Sequence, residues 1–224
     1  MKLAVLTACY KRYNIFKLFL QHIPKDITLI CVGDEDENMT AFTESKVKGG
    51  YLIHENKPVS NKWNAGLEFA KSHEFDYLII TGSDDFFSPD LWEWYKSLDV
   101  HYAGLLDFYF MDSLTGKVKY NDGFSFNRKG EPHGAGRALH RSVLDAVGWK
   151  LWKDGRNEGL DASMTDTLKG IAMDFQFIKV QSKGFVAVDV KTDENIHRIS
   201  EYQGRWIDES EKQFVLNKIG WITQ

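Results

Sequence analysis

The sequence of 224 residues predicts one mixed α/β domain with a mostly parallel central sheet. Apolar runs of strand length alternate with segments of helical periodicity through the first half of the chain. Several of these runs end directly in polar clusters, as strands do when their carboxyl ends carry a site. No repeat, low-complexity segment or linker divides the chain. We therefore expect a single domain over residues 1–224, with a regular half, 1–100, and a less regular half, 101–224.

Strand and helix signals alternate in the first half. The predicted strands are residues 3–8, 26–32, 49–54 and 75–81. The predicted helices are residues 15–23, 60–72 and 91–98, with Pro24 ending the first and Pro89 at the start of the third. Polar clusters at residues 10–14, 33–37 and 82–85 follow the carboxyl ends of three strands. Because these ends meet at one edge of a parallel sheet, we expect the clusters to converge.

The second half has a weaker pattern. Residues 102–111 predict a strand that pairs with 118–126, and residues 185–190 predict the last strand. The predicted helices are residues 141–147, closed by Gly148, residues 162–169, with Asp161 as N-cap, and residues 208–218. Residues 130–136 form a glycine-rich loop, and 149–159 a polar surface loop.

Composition excludes several classes of protein. The net charge is -4 without a Lys/Arg block, so nucleic acid is not favoured as a partner. Cys9 and Cys31 lie in apolar runs and are expected to be reduced core residues. The N-terminal apolar run is too short for a signal peptide and no run is long enough to span a membrane, so we expect a cytoplasmic protein. Motifs of P-loop proteins, zinc proteases, thiol-redox proteins and α/β-hydrolases are absent.

Asp84 and Asp85 are the first candidates for chemistry. They follow the most apolar predicted strand, where two neighbouring carboxylates repel each other unless a cation or hydrogen-bond donors compensate. Mg²⁺ or Mn²⁺ bound to a diphosphate provides that compensation. The alternative is that one of the two only caps the helix that begins after Ser88 and Pro89.

Residues 61–94 resemble the central stretch of inverting GT-A glycosyltransferases of the family-2 type. The elements that match in order and spacing are Asn64-Ala65-Gly66, strand residues 77–81, Ser83-Asp84-Asp85 and Pro89-Asp90. The resemblance implies the GT-A fold, which is a Rossmann-like nucleotide-diphospho-sugar transferase fold. It also implies metal-dependent transfer of a sugar from a nucleotide-sugar to an acceptor hydroxyl. A UDP-sugar is the donor that the resemblance favours. It covers residues 3–95 well and the remainder loosely. The sequence departs from the family at two positions. Gly82 stands where the family has the first acidic residue of its motif. Trp63 stands where the family has a basic residue just before the asparagine, and the nearest basic residue here is Lys62, one position earlier.

The resemblance also implies roles for single residues. The side chains expected at the nucleotide are Thr7, Tyr10, Arg12, Asp34, Lys62, Asn64 and Asp84, with Asp34 at the base or ribose. Asp85 would bind Mn²⁺ or Mg²⁺. His197 could complete the metal shell and Arg198 or Arg205 could neutralise the leaving diphosphate, although a lone histidine is more often an ordinary residue.

The base that deprotonates the acceptor is expected in the second half, at Asp161 or, in reserve, Glu158. A helix begins near Asp161, and its dipole keeps a carboxylate ionised there. A role as helix cap is the alternative for Asp161. The nucleotide-sugar is then expected to contact residues 1–100 and the acceptor residues 101–224, where His133 and Arg137 occupy the glycine-rich loop. A glycan, a lipid-linked sugar, a protein or a modified base would all be compatible acceptors.

Two other functions stay open at this point. A nucleotidyltransferase would share the sheet and the acidic site, but it needs a glycine-rich loop after the first strand, and residues 9–12 contain no glycine. A non-catalytic module that binds a sugar or nucleotide is the other. The candidate base argues against that module.

Overall fold

A computed structural model describes residues 1–193, 195 and 199–221, which form one mixed α/β domain. The strands are β1 (Leu3–Ala8), β2 (Thr28–Gly33), β3 (Gly49–Ile53), β4 (Tyr77–Ile80), β5 (Asp85–Phe87), β6 (Tyr102–Leu105), β7 (Phe108–Asp112), β8 (Val118–Asn121), β9 (Arg137–His140), β10 (Phe175–Ile178), β11 (Ala187–Lys191) and β12 (Arg205–Trp206). The helices are α1 (Tyr13–His22), α2 (Glu37–Ser45), α3 (Val59–Ala70), α4 (Pro89–Lys96), α5 (Arg141–Ala146), α6 (Leu160–Leu168) and α7 (Glu209–Lys218).

The larger sheet has seven strands in the order β10-β6-β9-β4-β1-β2-β3. Strands β1 to β4 pair in parallel, and β9 lies antiparallel between β4 and β6. Helices cover both faces, so the central strands are buried throughout and appear in the sequence as continuous apolar runs. The expected α/β fold with a mostly parallel sheet is confirmed.

The smaller sheet has the order β12-β8-β7-β11-β5. The predicted single strand 102–111 is wrong, because β6 belongs to the larger sheet and β7 to the smaller one. Asp107 lies fully buried between them, and its carboxylate accepts hydrogen bonds from the N–H of Val180 (2.5 Å) and the hydroxyl of Tyr120 (2.7 Å). These bonds fix the point where the chain changes sheets.

Five elements have no counterpart in the predicted pattern: α2, β5, β9, β10 and β12. Helix α2 buries only Asn38, Ala41 and Phe42, so its apolar periodicity is weak. Strand β5 has three residues, two of them phenylalanines, and directly follows the acidic pair. Helix α6 begins at Leu160 with Gly159 in the capping position, which makes the assignment of Asp161 as N-cap wrong.

Cys9 and Cys31 are buried free thiols with their sulfurs 3.4 Å apart, as expected of reduced core residues. In the described part of the chain, no helix combines the length and the apolar character that crossing a membrane requires.

Candidate functional site

A cavity of about 600 Å³ lies at the carboxyl ends of β1 and β4, where the two sheets meet. The loop after β1, the start of α3 and the turn between β4 and β5 form one side. The glycine-rich loop, the start of α6 and the end of β11 form the other. The cavity therefore collects side chains from both halves of the sequence, as expected for a sheet of this kind.

Three carboxylates meet in this cavity. Oxygen atoms of Asp84, Asp85 and Asp189 lie within 4.8 Å of one another, and all three side chains are largely buried. The sheet register explains the cluster, because Asp189 on β11 is the antiparallel partner of Asp85 on β5. Like charges in directly opposed positions destabilise a sheet. The cluster therefore requires positive charge or protons.

Two buried cations supply part of that charge. Arg12 forms an ion pair with Asp84 and donates to the hydroxyl of Ser83 (3.3 Å). The ammonium of Lys191 lies 2.5 Å from Asp189. Asn195 also donates to Asp84 (2.8 Å). Burial alone would raise the pKa of Asp84, but Arg12 and Lys191 hold it below its usual range.

The other two carboxyls are less well compensated. Burial, with Asp189 and Asp84 nearby, raises the pKa of Asp85 well above its ordinary value. Burial also raises the pKa of Asp189 to about 6, against the opposing effect of Lys191. Asp85 accepts hydrogen bonds from the Thr81 hydroxyl (2.9 Å) and the Gly82 N–H (2.5 Å). Among the described residues nothing bonds to the buried Oδ1 of Asp189.

These features fit a hard divalent cation. Mg²⁺ and Mn²⁺ prefer carboxylate oxygens, and the buried, unpartnered Oδ1 of Asp189 is an acceptor that such an ion would satisfy. The alternative role of the acidic pair as a helix cap is wrong. Ser88 precedes the first residue of α4, while Asp84 and Asp85 bond to other groups.

The residues expected at the nucleotide have different surroundings. Tyr10, Arg12 and Lys62 line the cavity, and the ammonium of Lys62 donates to the carbonyl of Cys9 (2.6 Å). Burial lowers the pKa of Lys62. Thr7 is completely buried and does not line the cavity, and neither does Asp34, at the end of β2, whose carbonyl accepts from Tyr51.

Asn64, which is expected at the nucleotide, bonds to the polar loop in this structure. Its side-chain amide donates to the carbonyl of Trp152 (2.7 Å) and accepts from the N–H of the same residue (3.2 Å). It is not part of the cavity wall. Asn64 therefore anchors the polar loop 149–159 on helix α3.

Both candidate bases lie at the cavity. Asp161 is in the first turn of α6, and its carboxylate accepts from the N–H of Gly134 (3.3 Å). A Cβ at residue 134 would lie 1.9 Å from Oδ1 of Asp161, so the carboxylate requires glycine there. Glu158 is exposed at the cavity mouth.

Other predicted residues lie elsewhere. His197 and Arg198 fall outside the described residues. Arg205 forms an exposed ion pair with Glu211 (2.7 Å) and does not line the cavity. His133 lines the cavity, whereas Arg137 is completely buried.

Sequence reasoning missed Asp189 and Lys191. Asp189 lies within the predicted last strand, residues 185–190, and Lys191 directly follows it. An acidic residue inside a buried apolar strand, followed at the second position by a lysine on the same face, was the available signal. The signal indicates a buried charge pair, which only the sheet register places beside Asp85.

Solved structures of the same fold are known. The chain is similar to the inositol-1-phosphate CTP transferase from T. maritima, with a TM-score of 0.54 and 9% identity over 98% of this chain and 96% of that one. It is also similar to residues 1–349 of TarS from S. aureus, with a TM-score of 0.50 and 12% identity over 87% of this chain. It spans 59% of that TarS fragment.

These identities are low, so the likeness shows the fold alone. No protein-family model matches the sequence, and no curated protein matches it. The chain has the fold of nucleotide-diphospho-sugar transferases.

Proposed function

We propose that this protein is a metal-dependent glycosyltransferase that moves a sugar from a nucleotide-sugar, a UDP-sugar, to an acceptor hydroxyl with inversion. The observation that carries the proposal is the arrangement of one cavity. The acidic triad of Asp84, Asp85 and Asp189 lines it together with a separate carboxylate, Asp161, held on the N-terminus of a helix. A triad for a metal-bound diphosphate and an independent base are the two parts that this reaction needs.

The proposed step is a direct displacement. Asp161 takes the proton of the acceptor hydroxyl as that oxygen attacks the anomeric carbon. The new carbon–oxygen bond forms while the bond from the anomeric carbon to the phosphate oxygen breaks, and the electron pair leaves with the nucleoside diphosphate. Attack opposite the leaving group inverts the anomeric configuration.

The remaining residues of the cavity balance the charges of the diphosphate and of the acidic triad. Asp85 and Asp189, with Asp84, would hold Mn²⁺ or Mg²⁺, which supplies positive charge at the diphosphate. Arg12 and Lys191 neutralise part of the triad and keep it compact. In this proposal residues 1–100 bind the nucleotide with Tyr10 and Lys62, and residues 101–224 supply the base and the acceptor side.

Binding of UDP with and without Mn²⁺, by calorimetry and thermal shift, tests the first half of the proposal. We expect Mn²⁺ to strengthen UDP binding and Asp85→Asn to remove that effect. Asp166→Asn, the same change at an exposed position of α6, is the matched control. If the affinity for UDP changes neither on addition of Mn²⁺ nor in Asp85→Asn, the proposed metal site is contradicted.

A nucleotidyltransferase is the second candidate. The similarity to the T. maritima CTP transferase extends over nearly the whole of both chains, which favours it. The loop after β1 argues against it, because Lys11 and Arg12 occupy its left-handed positions without any glycine to approach a triphosphate closely. Release of pyrophosphate from CTP or UTP with a sugar 1-phosphate would identify this activity.

A further inference from the structure

A side pocket of about 170 Å³ lies against the main cavity beside the candidate base, and we call it the annex. Trp63, Ala135 and Asp161 line both spaces, so the two are adjacent. The far walls of the annex include Ile80, Trp152 and Met164, which are all buried. Its position next to Asp161 and the β4 end places it where the transferred sugar would lie.

The interior of the annex offers a ligand few polar partners. The only side chains with hydrogen-bonding oxygen atoms among its described lining residues are Thr81 and Asp161. The Thr81 hydroxyl already donates to Asp85, and Asp161 at the rim accepts from Gly134. A sugar hydroxyl placed inside would find few side-chain oxygen atoms to replace its water, whereas an apolar group would gain from burial.

The aromatic wall is held in place without a ligand. Asn64 bonds to both the carbonyl and the N–H of Trp152, and the ring centroids of Trp152 and Trp63 are 5.5 Å apart. Trp152 is only 3% exposed. A pocket wall fixed in advance costs little conformational entropy when a ligand binds.

We propose that the annex takes the acetyl methyl of an acetamido group on the donor sugar, so that the protein selects N-acetylamino nucleotide-sugars over those with hydroxyls alone. This inference rests on the proposed function. The volume suffices, because an apolar cavity of about 150 Å³ can hold benzene. The amide itself stays at the rim, where the annex meets the polar cavity.

Calorimetric titration with UDP, UDP-glucose and UDP-N-acetylglucosamine, in the presence of Mn²⁺, tests the inference. The two sugars differ only at carbon 2. We expect the acetamido sugar to bind at least tenfold more tightly, which is about 1.4 kcal/mol. Equal affinity of the two sugars with UDP binding retained would overturn the annex and leave the proposed function standing. Failure of UDP itself to bind would overturn the proposed function, and the annex with it.

Ala135→Leu places an isobutyl group in the annex and should reduce the preference for the acetamido sugar to less than twofold. Ala146→Leu, the same change at an exposed residue of α5, should keep the full preference. Titration of Ala135→Leu with UDP checks that the variant is folded. Asn64→Ala changes no residue that lines the annex, but it removes the two hydrogen bonds that hold Trp152 in place. We expect a partial loss of the preference for the acetamido sugar. A full preference in Ala135→Leu would exclude the annex as its cause.

Discussion

Two charged clusters of the molecule differ in how completely their bonds are made, and the first is built around Glu131 of the glycine-rich loop. Glu131 accepts from Arg128 (2.8 Å), Arg137 (3.3 Å) and the Thr165 hydroxyl (2.7 Å). Arg137, with its side chain fully buried, also donates to backbone carbonyls such as that of Pro132 (2.8 Å). Burial alone would raise the pKa of Glu131, but these partners lower it to about 2.

The acidic triad has more carboxylates than cations, and the Oδ1 of Asp189 is without a partner among the described residues. The contrast separates a structural cluster from the proposed metal site. In the first, every charged group has its partners within the protein, and the network stabilises the loop. In the second, compensation is incomplete, and a ligand from outside would complete it.

The largest expected effect is in the triad. Asp85→Asn should reduce transfer by roughly 10³-fold or more, because it removes a proposed ligand of the metal that would stabilise the leaving group. The free energy of unfolding should stay the same or rise, since the substitution relieves repulsion among buried carboxyls. Steady-state transfer assays and urea unfolding measure the two. Stability lost together with activity would assign Asp85 to the structural class.

The candidate bases come next. Asp161→Asn should reduce kcat by roughly 10²- to 10⁴-fold with little effect on donor binding, since general-base catalysis contributes that much. Glu158→Gln should change kcat by less than about fivefold, because its exposed side chain lies at the cavity mouth. Single-turnover kinetics with saturating donor provide the measurement. The reverse order of effects would make Glu158 the base.

Breaking the structural cluster should cost stability. Glu131→Gln leaves the buried Arg137 without its carboxylate and should lower the free energy of unfolding by about 3 kcal/mol, at the lower end for a buried pair because backbone carbonyls still accept from Arg137. Denaturant unfolding measures the loss. Glu209→Gln, which removes an exposed pair with Lys212, should cost less than about 1 kcal/mol. Equal costs would contradict the distinction between buried and exposed pairs.

The smallest expected effect is a pH dependence at His133. Burial, together with Arg137 and Arg128 and against the effect of Asp161 and Glu131, lowers its pKa to about 4. The unfolded chain therefore binds a proton near pH 6.5 that the folded chain excludes. The contribution of His133 to stability should be full above that pH and fall by at most about 3 kcal/mol as the pH drops from 6.5 to 4.

Substitution of the ring isolates this effect. His133→Phe should remove the fall in the free energy of unfolding between pH 6.5 and 4, and leave the opposite change, a rise as the pH drops below 6, that the raised pKa of Asp189 produces. The lowered pKa of Glu131 acts in a separate window below about pH 4.5 and should persist in the variant. An unchanged pH dependence above pH 4.5 in His133→Phe would show that His133 is not the source of the loss in stability there.

The sequence predicts the first half of the fold better than the second, for physical reasons. Strands such as β1 and β4 are buried on both faces, so uninterrupted apolar runs reveal them. Strands β5 and β12 have three and two residues, too few to show any periodicity. Strand β10 is largely exposed at a sheet edge, and its alternation is weak.

The site follows the same division. Asp84 and Asp85 are identified by their place after an apolar strand, and Asp161 by its place near a helix start. Asp189 joins them only through the pairing of β5 with β11, a contact between distant segments that no local pattern encodes. Asn64 is the opposite case: the sequence around it matches the family motif, but in the structure its side-chain amide bonds to Trp152.

That pairing of β5 with β11 also determines when the site can exist during synthesis. A growing chain that has emerged only through β5 carries two adjacent carboxylates and Arg12, but neither Asp189 nor Lys191. The proposed metal site is then completed only when β11 has left the ribosome. A partly made chain that ends before β11 would therefore lack full cation binding, and such binding would report that translation has passed β11.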